Sequence, residues 1–198
     1  MPHAPIDRIL HAARLHGCVP VRLTPRQSLL DRHAIADSLY IALSGRLRAS
    51  LSFEGTDLTL AIFRAGDTFT SMESFMLRAP SEYAIEAIDL VEIMAVPRTV
   101  LEDLLREDPS LAMDLLAHHR LWLAGMTRRI MDLLMATPLE RYLRFEREHP
   151  DLMEQLPLYM VASMIGVKPE SLSRIRRRLA SRPPPSRSRV RPGSPEGA

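Results

Sequence analysis

The pattern of apolar and polar positions divides the chain into a β-rich first half and a helical second half. After a short amphipathic helix expected over Ile6 to Leu15, short alternating runs broken by turn residues extend from Val19 to about Val96. Among these runs, Leu47 to Phe53 alternates, Glu54-Gly55 interrupts and Leu58 to Phe63 resumes, which predicts a hairpin. Several short strands at regular intervals favour an antiparallel barrel, roll or sandwich over a parallel sheet.

From Pro97 onward the spacing of apolar residues becomes helical. It predicts a short helix from Pro97 to Arg106 and a long one from Ser110 to about Ala136, which Thr137-Pro138 ends. Along the long helix, two sets of positions recur every seven residues and form an a/d seam, which favours a two-stranded coiled coil. The alternative is a helix that packs on its own β domain. The seam consists of Ala112, Leu116, His119, Leu123, Met126, Ile130 and Leu133.

The segment from Leu158 to Leu179 predicts two short helices joined by a tight turn. Gly166 permits the positive φ of such a turn, and Pro169 suits the first position of the second helix. A preceding helix is expected over Leu139 to Glu148, with a loop at His149-Pro150. The residues expected to pack the pair together are Val161, Ala162, Ile165, Val167, Leu172 and Ile175. This is the pattern of a helix-turn-helix that enters duplex DNA.

The second helix of this pair has an apolar face and a polar face. Glu170, Ser173 and Arg174 share the polar face and are expected to read base edges, because arginine pairs with guanine and glutamate accepts from cytosine. The alternative is a solvated helix in which Glu170 and Arg174 form an i,i+4 ion pair. A flanking set is expected to contact phosphates or lie beside them. It consists of Lys168, Ser171, Arg176, Arg177 and Arg178.

Positive charge is concentrated at the C-terminal end. The whole chain carries a net charge of +2, whereas residues 166–198 contain nine basic and two acidic residues and carry +7. Residues 1–165 therefore carry −5. Such an asymmetry is the electrostatic footprint of a nucleic-acid-binding region. Residues 182–198 are rich in proline, serine, glycine and arginine, and are expected to form a disordered basic tail.

Composition excludes several classes of protein. A chain of 198 residues with 46% hydrophobic residues can bury one good core or two small ones. No apolar run approaches the ~20 residues that span a bilayer, and the N-terminus is unlike a signal peptide, so we expect a cytoplasmic protein with no membrane partner. Cys18 is the only cysteine, which excludes an internal disulfide.

Motifs for catalysis or metal binding are not found in the sequence. HExxH, P-loop, GxSxG and paired-cysteine motifs are missing, and His118-His119 cannot both face one metal because neighbours on a helix point about 100° apart. We therefore expect no enzyme activity, no catalytic residues, no metal site and no cofactor.

The order of an antiparallel β domain, a long helix and a helix-turn-helix resembles the Crp/Fnr family of transcription regulators. The specific segments are LYIALSGRLR (Leu39 to Arg48), AGDTF (Ala65 to Phe69) and IGVKPESLSRIRRRL (Ile165 to Leu179). In that family the recognition helix commonly carries a Glu-x-x-Ser-Arg pattern, which here falls on Glu170, Ser173 and Arg174.

This resemblance implies an α+β fold. Residues 1–108 would form a cyclic-nucleotide-binding-like β-roll sensor domain, 109–136 a dimerisation helix and 137–181 the helix-turn-helix domain, before the tail over 182–198. The implied partners are double-stranded DNA with TTGA-like half-sites in a pseudo-palindrome, a second copy of the chain and RNA polymerase. An unknown small-molecule effector remains open.

Two departures from the family pattern change the expectations. Members that bind cyclic AMP place a Gly-Glu pair at the ribose and an Arg-Ser pair at the phosphate, and here those positions are Thr70-Ser71 and Ser81-Glu82. Without the arginine, and with a repulsive carboxylate, no physiological response to cyclic AMP is expected unless Arg78 or a shifted loop replaces it. After the recognition helix, Ser181 to Pro185 cannot supply the strands of a full wing.

A pocket for another effector is a second possibility, and the alternative is that its residues are strand and loop residues without a ligand. The candidate residues are Ser71, Glu73, Arg78, Ser81, Glu82 and Tyr83. The rival function is an effector-sensing or partner-binding β-roll protein that has lost DNA binding, which buried arginines in the second helix would favour.

Overall fold

The first half of the chain forms two antiparallel sheets. The computed structural model describes residues 4–181. Its strands are β1 (Pro20–Leu23), β2 (Ser28–Leu30), β3 (Ser38–Ser44), β4 (Arg46–Phe53), β5 (Thr56–Arg64), β6 (Thr68–Phe69), β7 (Ala84–Ala87) and β8 (Val91–Pro97). One sheet has the order β1-β8-β3-β6 and the other β2-β7-β4-β5. The strand pattern predicted an antiparallel barrel, roll or sandwich, and the two sheets form the β-roll that the resemblance implied.

The predicted hairpin is confirmed as β4 and β5. Glu54 and Gly55 have φ values of 49° and 74°, so both central residues of the turn lie in the left-handed region that suits a two-residue hairpin. Leu47 pairs with Phe63, and the register shifts by a bulge between Ala49 and Ser50. β5 is the outer strand of its sheet, which leaves one of its edges for the helical half of the chain.

The helices account for most of the remaining described residues. They are α1 (Ala4–Leu15), α2 (Met72–Leu77), α3 (Arg98–Glu107), α4 (Ser110–Met135), α5 (Pro138–Glu148), α6 (Pro150–Gln155), α7 (Leu158–Met164) and α8 (Pro169–Ala180). The helices predicted from the sequence are present with ends shifted by at most two residues, whereas α2 and α6 were not predicted. The expected loop at His149-Pro150 is wrong, because proline is favourable at the first position of a helix and starts α6 there.

Two hydrophobic cores result, one in each half. Ile41, Leu47, Ile85 and Ile93 are fully buried between the sheets of the roll. The second core lies among α5 to α8, and Ile62 and Ile88 of the β region pack against it. The helical half is therefore attached to the roll through apolar contact. The members of the second core are Tyr142, Phe145, Leu152, Leu156, Met160, Val161, Ala162, Ile165 and Leu172.

Some predictions fall outside the part of the chain that the structure describes. These are the disordered tail over 182–198 and the missing wing, whose strands would follow Ser181. The domain boundaries at residues 108 and 136 stay predictions. Between residues 4 and 181, none of the helices has the length and hydropathy needed to cross a membrane.

Candidate DNA-binding surface

The turn between α7 and α8 is held in place by backbone and side-chain bonds. The Val167 N–H donates to the Ala162 carbonyl at 2.9 Å. From α5, Arg141 donates through Nε to the Ile165 carbonyl at 2.7 Å and through Nη2 to the Gly166 carbonyl at 3.3 Å. These charge-assisted bonds satisfy carbonyls that the end of α7 leaves free. The orientation of α8 relative to α5 is therefore fixed.

Gly166 is needed for its backbone conformation, and it also lies close to the end of the Leu133 side chain. Its φ of +65° is one that side chains rarely adopt, and a Cβ built on it would come within 2.4 Å of the Leu133 side chain. Leu133 lies on α4, so this close approach places the turn directly against the long helix.

The inner face of α8 packs as the sequence predicted. Leu172 is fully buried, as are Val161 and Ala162 of α7. Val167 and Ile175 are partly buried against the same core. Burial of this face directs the opposite face of α8 outward, since residues at i and i+2 lie about 200° apart on a helix.

The outward face of α8 carries the predicted base-reading residues. Glu170 and Arg174 are exposed, and Ser173 is half-buried with its hydroxyl donating to the Pro169 carbonyl at 3.0 Å. Arg174 donates through Nε to the Glu170 carbonyl at 3.4 Å. The alternative ion pair between the Glu170 carboxylate and Arg174 is not formed. The guanidinium Nη groups of Arg174 therefore remain available to a ligand.

The flanking residues surround this face. Arg176 and Arg178 lie on opposite sides of it, about 120° and 80° around the helix from Glu170. Arg176 is near the phenol of Tyr142, whose pKa is raised by burial and by Glu146, while the positive charge of Arg176 opposes that rise. Lys168, Arg176, Arg177 and Arg178 are exposed, and Ser171 is half-buried. Within residues 4–181, no salt bridge neutralises any cation of α8.

Helix α7 docks on the free edge of β5, a contact that the sequence did not reveal. The Thr59 backbone N–H donates to the Ser163 hydroxyl at 2.6 Å. Arg129 of α4 joins both partners, because it donates to the Met164 carbonyl at 3.2 Å, to the Thr59 carbonyl at 3.3 Å and to the Leu60 carbonyl. Burial lowers the pKa of Arg129. The helix-turn-helix is thus bonded to the roll through main-chain groups of its outer strand.

Polar contacts also join the rim of this interface. Arg64 forms an ion pair with Asp151 at 2.8 Å, and Arg46 donates to Gln155 at 2.9 Å. The guanidinium of Arg48 lies 5.8 Å from the centre of the Tyr159 ring, within the range of a cation–π contact. None of these residues forms a spacing pattern along the chain. Only the fold brings them together, which is why sequence reasoning missed them.

Helix α4 presents an apolar stripe that no described residue covers. The exposed apolar residues at i, i+3, i+10, i+17 and i+21 on this helix share one face, which we call the open stripe. Its members are Met113, Leu116, Leu123, Ile130 and Leu134, which are between 50% and 76% exposed.

Two other members of the predicted seam, His119 and Leu133, contact the chain's own body. His119 is half-buried and lines a small cavity beside Phe69, and Leu133 touches the turn at Gly166. On a straight helix a heptad position drifts by about 20° per repeat, which moves Met126 and Leu133 progressively away from Leu123. Leu116, Leu123 and Ile130 are common to the predicted seam and the open stripe. The roles of Ala112, His119, Met126 and Leu133 in a dimer stay predictions.

The positions expected around a cyclic nucleotide are occupied by internal hydrogen bonds. Ser71 and Ser81 are both 1% exposed, and their hydroxyls are bonded to each other at 2.8 Å. The Ser81 hydroxyl also contacts the Tyr83 carbonyl at 2.6 Å, and the Tyr83 hydroxyl donates to the Thr70 carbonyl at 3.4 Å. Thr70 lines a cavity of only about 10 Å³ between the roll and α4, whereas ligand pockets typically have about 300–1,000 Å³.

The charged residues of the candidate effector set point elsewhere. Glu73, Arg78 and Glu82 are exposed, and Glu82 lies 3.8 Å from Arg32 in an ion pair. Arg78 ends α2 with a φ of 54°. The structure therefore brings Ser71, Ser81 and Tyr83 together in a closed cluster, and does not bring the three charged residues into it.

Known proteins resemble this chain both in the β-roll and over most of its length. Residues 20–108 match the family model of the cyclic nucleotide-binding domain. A search of curated proteins found no match to the chain.

Among solved structures, CLP of Xanthomonas campestris, described as a c-di-GMP responsive global regulator, has a TM-score of 0.71 at 17% identity, over 91% of this chain and 92% of that one. FixK2 of Bradyrhizobium japonicum has a TM-score of 0.68 at 20% identity, over 83% of this chain and 85% of that one. The catabolite activator protein of Thermus thermophilus has a TM-score of 0.53 at 20% identity, over 88% of this chain and 83% of that one. Because these sequence identities are low, the structural similarity establishes the fold alone.

Proposed function

We propose that this chain, which has the fold of the Crp/Fnr regulators and carries a cyclic nucleotide-binding domain, is a sequence-specific DNA-binding transcription regulator that acts as a homodimer. The observation that carries the proposal is the outward face of α8. It is open to solvent, it is cationic, and within the described residues none of its arginines is neutralised by a carboxylate.

Specificity is assigned to Glu170, Ser173 and Arg174. An arginine on this face offers two parallel donors to guanine O6 and N7, and a glutamate accepts from the cytosine amino group. The single backbone contact of Arg174, through Nε, leaves its terminal nitrogens for this role. The flanking cations Lys168, Arg176, Arg177 and Arg178, with Ser171, are assigned to phosphates or to positions beside them, where they set affinity and register.

The homodimer is supported by the open stripe on α4. An exposed helix surface with apolar residues at a/d spacing is stabilised by a second copy of itself. A two-fold dimer would place two recognition helices about one helical turn of DNA apart, roughly 34 Å, on a pseudo-palindromic site.

Cyclic AMP is not proposed as the effector. Ser71 and Ser81 stand at the positions that carry the ribose-binding glutamate and the phosphate-binding arginine in members that bind cyclic AMP. Both serines are buried and hydrogen-bonded to each other. Arg78, which could have replaced the missing arginine, is exposed at the end of α2.

Selection of bound duplexes from a random pool by the purified full-length chain, at fixed salt, tests the proposal. We expect a two-fold consensus. Arg174→Ala should reduce the free energy of binding to the consensus duplex by about 1–3 kcal/mol and should change binding to random duplex little. Arg178→Ala should weaken binding to the two duplexes alike. Arg147→Ala, an exposed arginine on α5 away from α8, serves as the matched control and should change neither.

Salt dependence gives a second measurement. Each phosphate contact adds about 0.9 to the slope of log K against log salt, so Arg178→Ala should reduce the slope by about one and Arg147→Ala should leave it unchanged. Equal losses for Arg174→Ala on both duplexes would remove its base-reading role. Failure of the pool to yield any enriched site would favour the rival function, a partner-binding β-roll protein without DNA binding.

A further inference from the structure

We propose that a cavity between α4, α5 and the turn after α7 binds an organic anion that combines a carboxylate or phosphate group with a flat apolar body. The cavity has a volume of about 480 Å³, within the range of about 300–1,000 Å³ that small-molecule sites occupy. It is separate from the closed serine cluster of the β-roll, because neither Ser71 nor Ser81 lines it.

The lining of this cavity carries an excess of positive charge. Arg64 and Arg144 are paired with carboxylates, those of Asp151 and Asp132. The other lining arginines are Arg128, Arg129 and Arg141, and within residues 4–181 none of these forms a salt bridge. The two lining carboxylates are also paired, Asp132 with Arg144 and Glu148 with Arg147, so these three arginines present their charge without a counter-ion.

Two of these three arginines are held by neutral groups. Arg129 and Arg141 donate to backbone carbonyls, which fix their position but do not cancel their charge. Burial lowers the pKa of Arg129, as expected for a cation that lacks a compensating anion. Arg128 is exposed at the mouth and has the freedom to close on a ligand. Preformed guanidinium groups of this kind suit the planar geometry of carboxylates and phosphates.

One wall of the cavity is apolar and aromatic. Trp122 is 43% exposed and lines the cavity together with Met126 and Phe145. A partly exposed indole beside cations favours a ligand with a flat body, which can stack on the ring while its anionic group meets the arginines.

Gly125 lines the cavity and adds no side chain to it. A glycine in the middle of a helix is less stable than alanine, yet a Cβ at this position would meet no atom within 4 Å. Packing within the chain therefore does not require the glycine. Gly125 also lies about 200° around the helix from Leu123, so a partner helix seated on the open stripe would not cover it. The space is left for something other than the protein's own side chains or the dimer partner.

The position of the cavity suits a regulatory ligand. Arg141 holds the carbonyls of Ile165 and Gly166 in the turn, and Arg129 holds that of Met164. An anion that shares these donors changes the contacts on which the orientation of α8 depends. Control of DNA binding by the ligand rests on the proposed function, whereas ligand binding itself does not.

Calorimetric titration of the full chain with 1-naphthyl phosphate and with 1-naphthoate tests the site and distinguishes a phosphate from a carboxylate ligand. Inorganic phosphate and 1-naphthol supply each half of the ligand alone. The chain has one tryptophan, so the single indole N–H resonance reports directly on the cavity wall. We expect saturable binding of at least one naphthyl anion with a shift of that resonance. Binding of 1-naphthol, which lacks the charge-assisted hydrogen bond, and of inorganic phosphate, which lacks the stacked ring, should each be at least about tenfold weaker.

Variants locate the binding. Arg128→Gln should weaken binding of the naphthyl anion about tenfold, because one charge-assisted hydrogen bond is lost. Gly125→Leu should abolish binding because the leucine side chain fills part of the cavity. Arg120→Gln, at an exposed position of α4 that does not line the cavity, and Gly125→Ala are the matched controls and should retain affinity. Thermal unfolding should show that Gly125→Leu is at least as stable as the native chain, so that loss of binding is not loss of fold. Absence of binding by both anions, or affinity that survives both Arg128→Gln and Gly125→Leu, would overturn the proposal, and DNA binding measured separately would be unaffected by that outcome.

Discussion

Truncation of one residue in the open stripe gives a quantitative test of the dimer. Leu123 is 61% exposed in the single chain, and a two-fold axis along α4 would bury it against the partner. Leu123→Ala removes three carbons, worth about 2.4 kcal/mol if their burial were complete at about 0.8 kcal/mol per carbon. Scaled by the exposed fraction, the loss is about 1.5 kcal/mol per copy.

Symmetry doubles this effect. Each substitution appears twice in an isologous interface, so the dimer should lose about 3 kcal/mol, which corresponds to a dissociation constant roughly 100-fold higher. Sedimentation equilibrium over a range of protein concentrations measures the constant. Circular dichroism of the same samples should show unchanged helix content, because Leu123 makes no contact with either hydrophobic core.

Leu121→Ala is the control that separates the geometry from simple hydrophobicity. Leu121 is 78% exposed, more than Leu123, but lies about 160° away around the helix. If exposed apolar area alone drove association, Leu121→Ala would weaken the dimer more than Leu123→Ala. The expected result is no change. Equal weakening by both variants, or a native chain that sediments as a monomer at all concentrations, would refute the assignment of the open stripe.

Three further predictions follow from the contacts described. Cyclic AMP and cyclic GMP should give no saturable heat in calorimetric titration of the native chain, and a micromolar affinity for either would contradict the closed serine cluster. Ser163→Ala should leave the Thr59 N–H without an acceptor and lower the free energy of unfolding by about 1–3 kcal/mol, measured by denaturant titration, whereas the exposed Ser52→Ala should leave it unchanged. Burial and the charge of Arg64 lower the pKa of His149 below its ordinary 6.5, so the folded state binds fewer protons than the unfolded state. The contribution of neutral His149 to the free energy of unfolding is complete above pH 6.5 and is lost as the pH falls through the lowered pKa. His149→Gln should flatten that part of the curve of stability against pH, and an unchanged curve would argue against His149 as the titrating group.

The local patterns of the sequence were sufficient to predict the two helices of the helix-turn-helix and the turn between them. Leu172 and Ile175 repeat on one side of α8 and are the residues that the core receives, and the positive φ of Gly166 follows from the need for a tight turn. The same spacing placed Glu170 and Arg174 on the outer face. Periodicity identifies which face of an element is apolar, so it is reliable where one face packs on a single neighbour.

Long-range polar contacts were beyond the reach of these patterns. Arg129 is one of many arginines in a helix, and nothing in its neighbourhood along the chain indicates that its donors meet the carbonyls of Thr59 and Met164. The same holds for the hydrogen bond between Ser71 and Ser81, which required the two positions to approach in space. The sequence showed that the phosphate-binding arginine is absent, but it did not indicate that the two serines would be buried and hydrogen-bonded to each other.

The shared contacts of Arg129 constrain how α8 can move. This side chain is anchored on α4 and donates both to β5 of the roll and to the end of α7. Any movement of the helix-turn-helix relative to the roll must break one set of these bonds, and a buried guanidinium without acceptors is costly. A ligand shifts such an equilibrium only through a difference in its affinity for the two arrangements. An anion in the adjacent cavity, which Arg129 and Arg141 both line, supplies that difference because it offers these donors a replacement partner in one arrangement. The interface between α7 and β5, rather than the closed serine cluster, is therefore the place where a signal would act on α8.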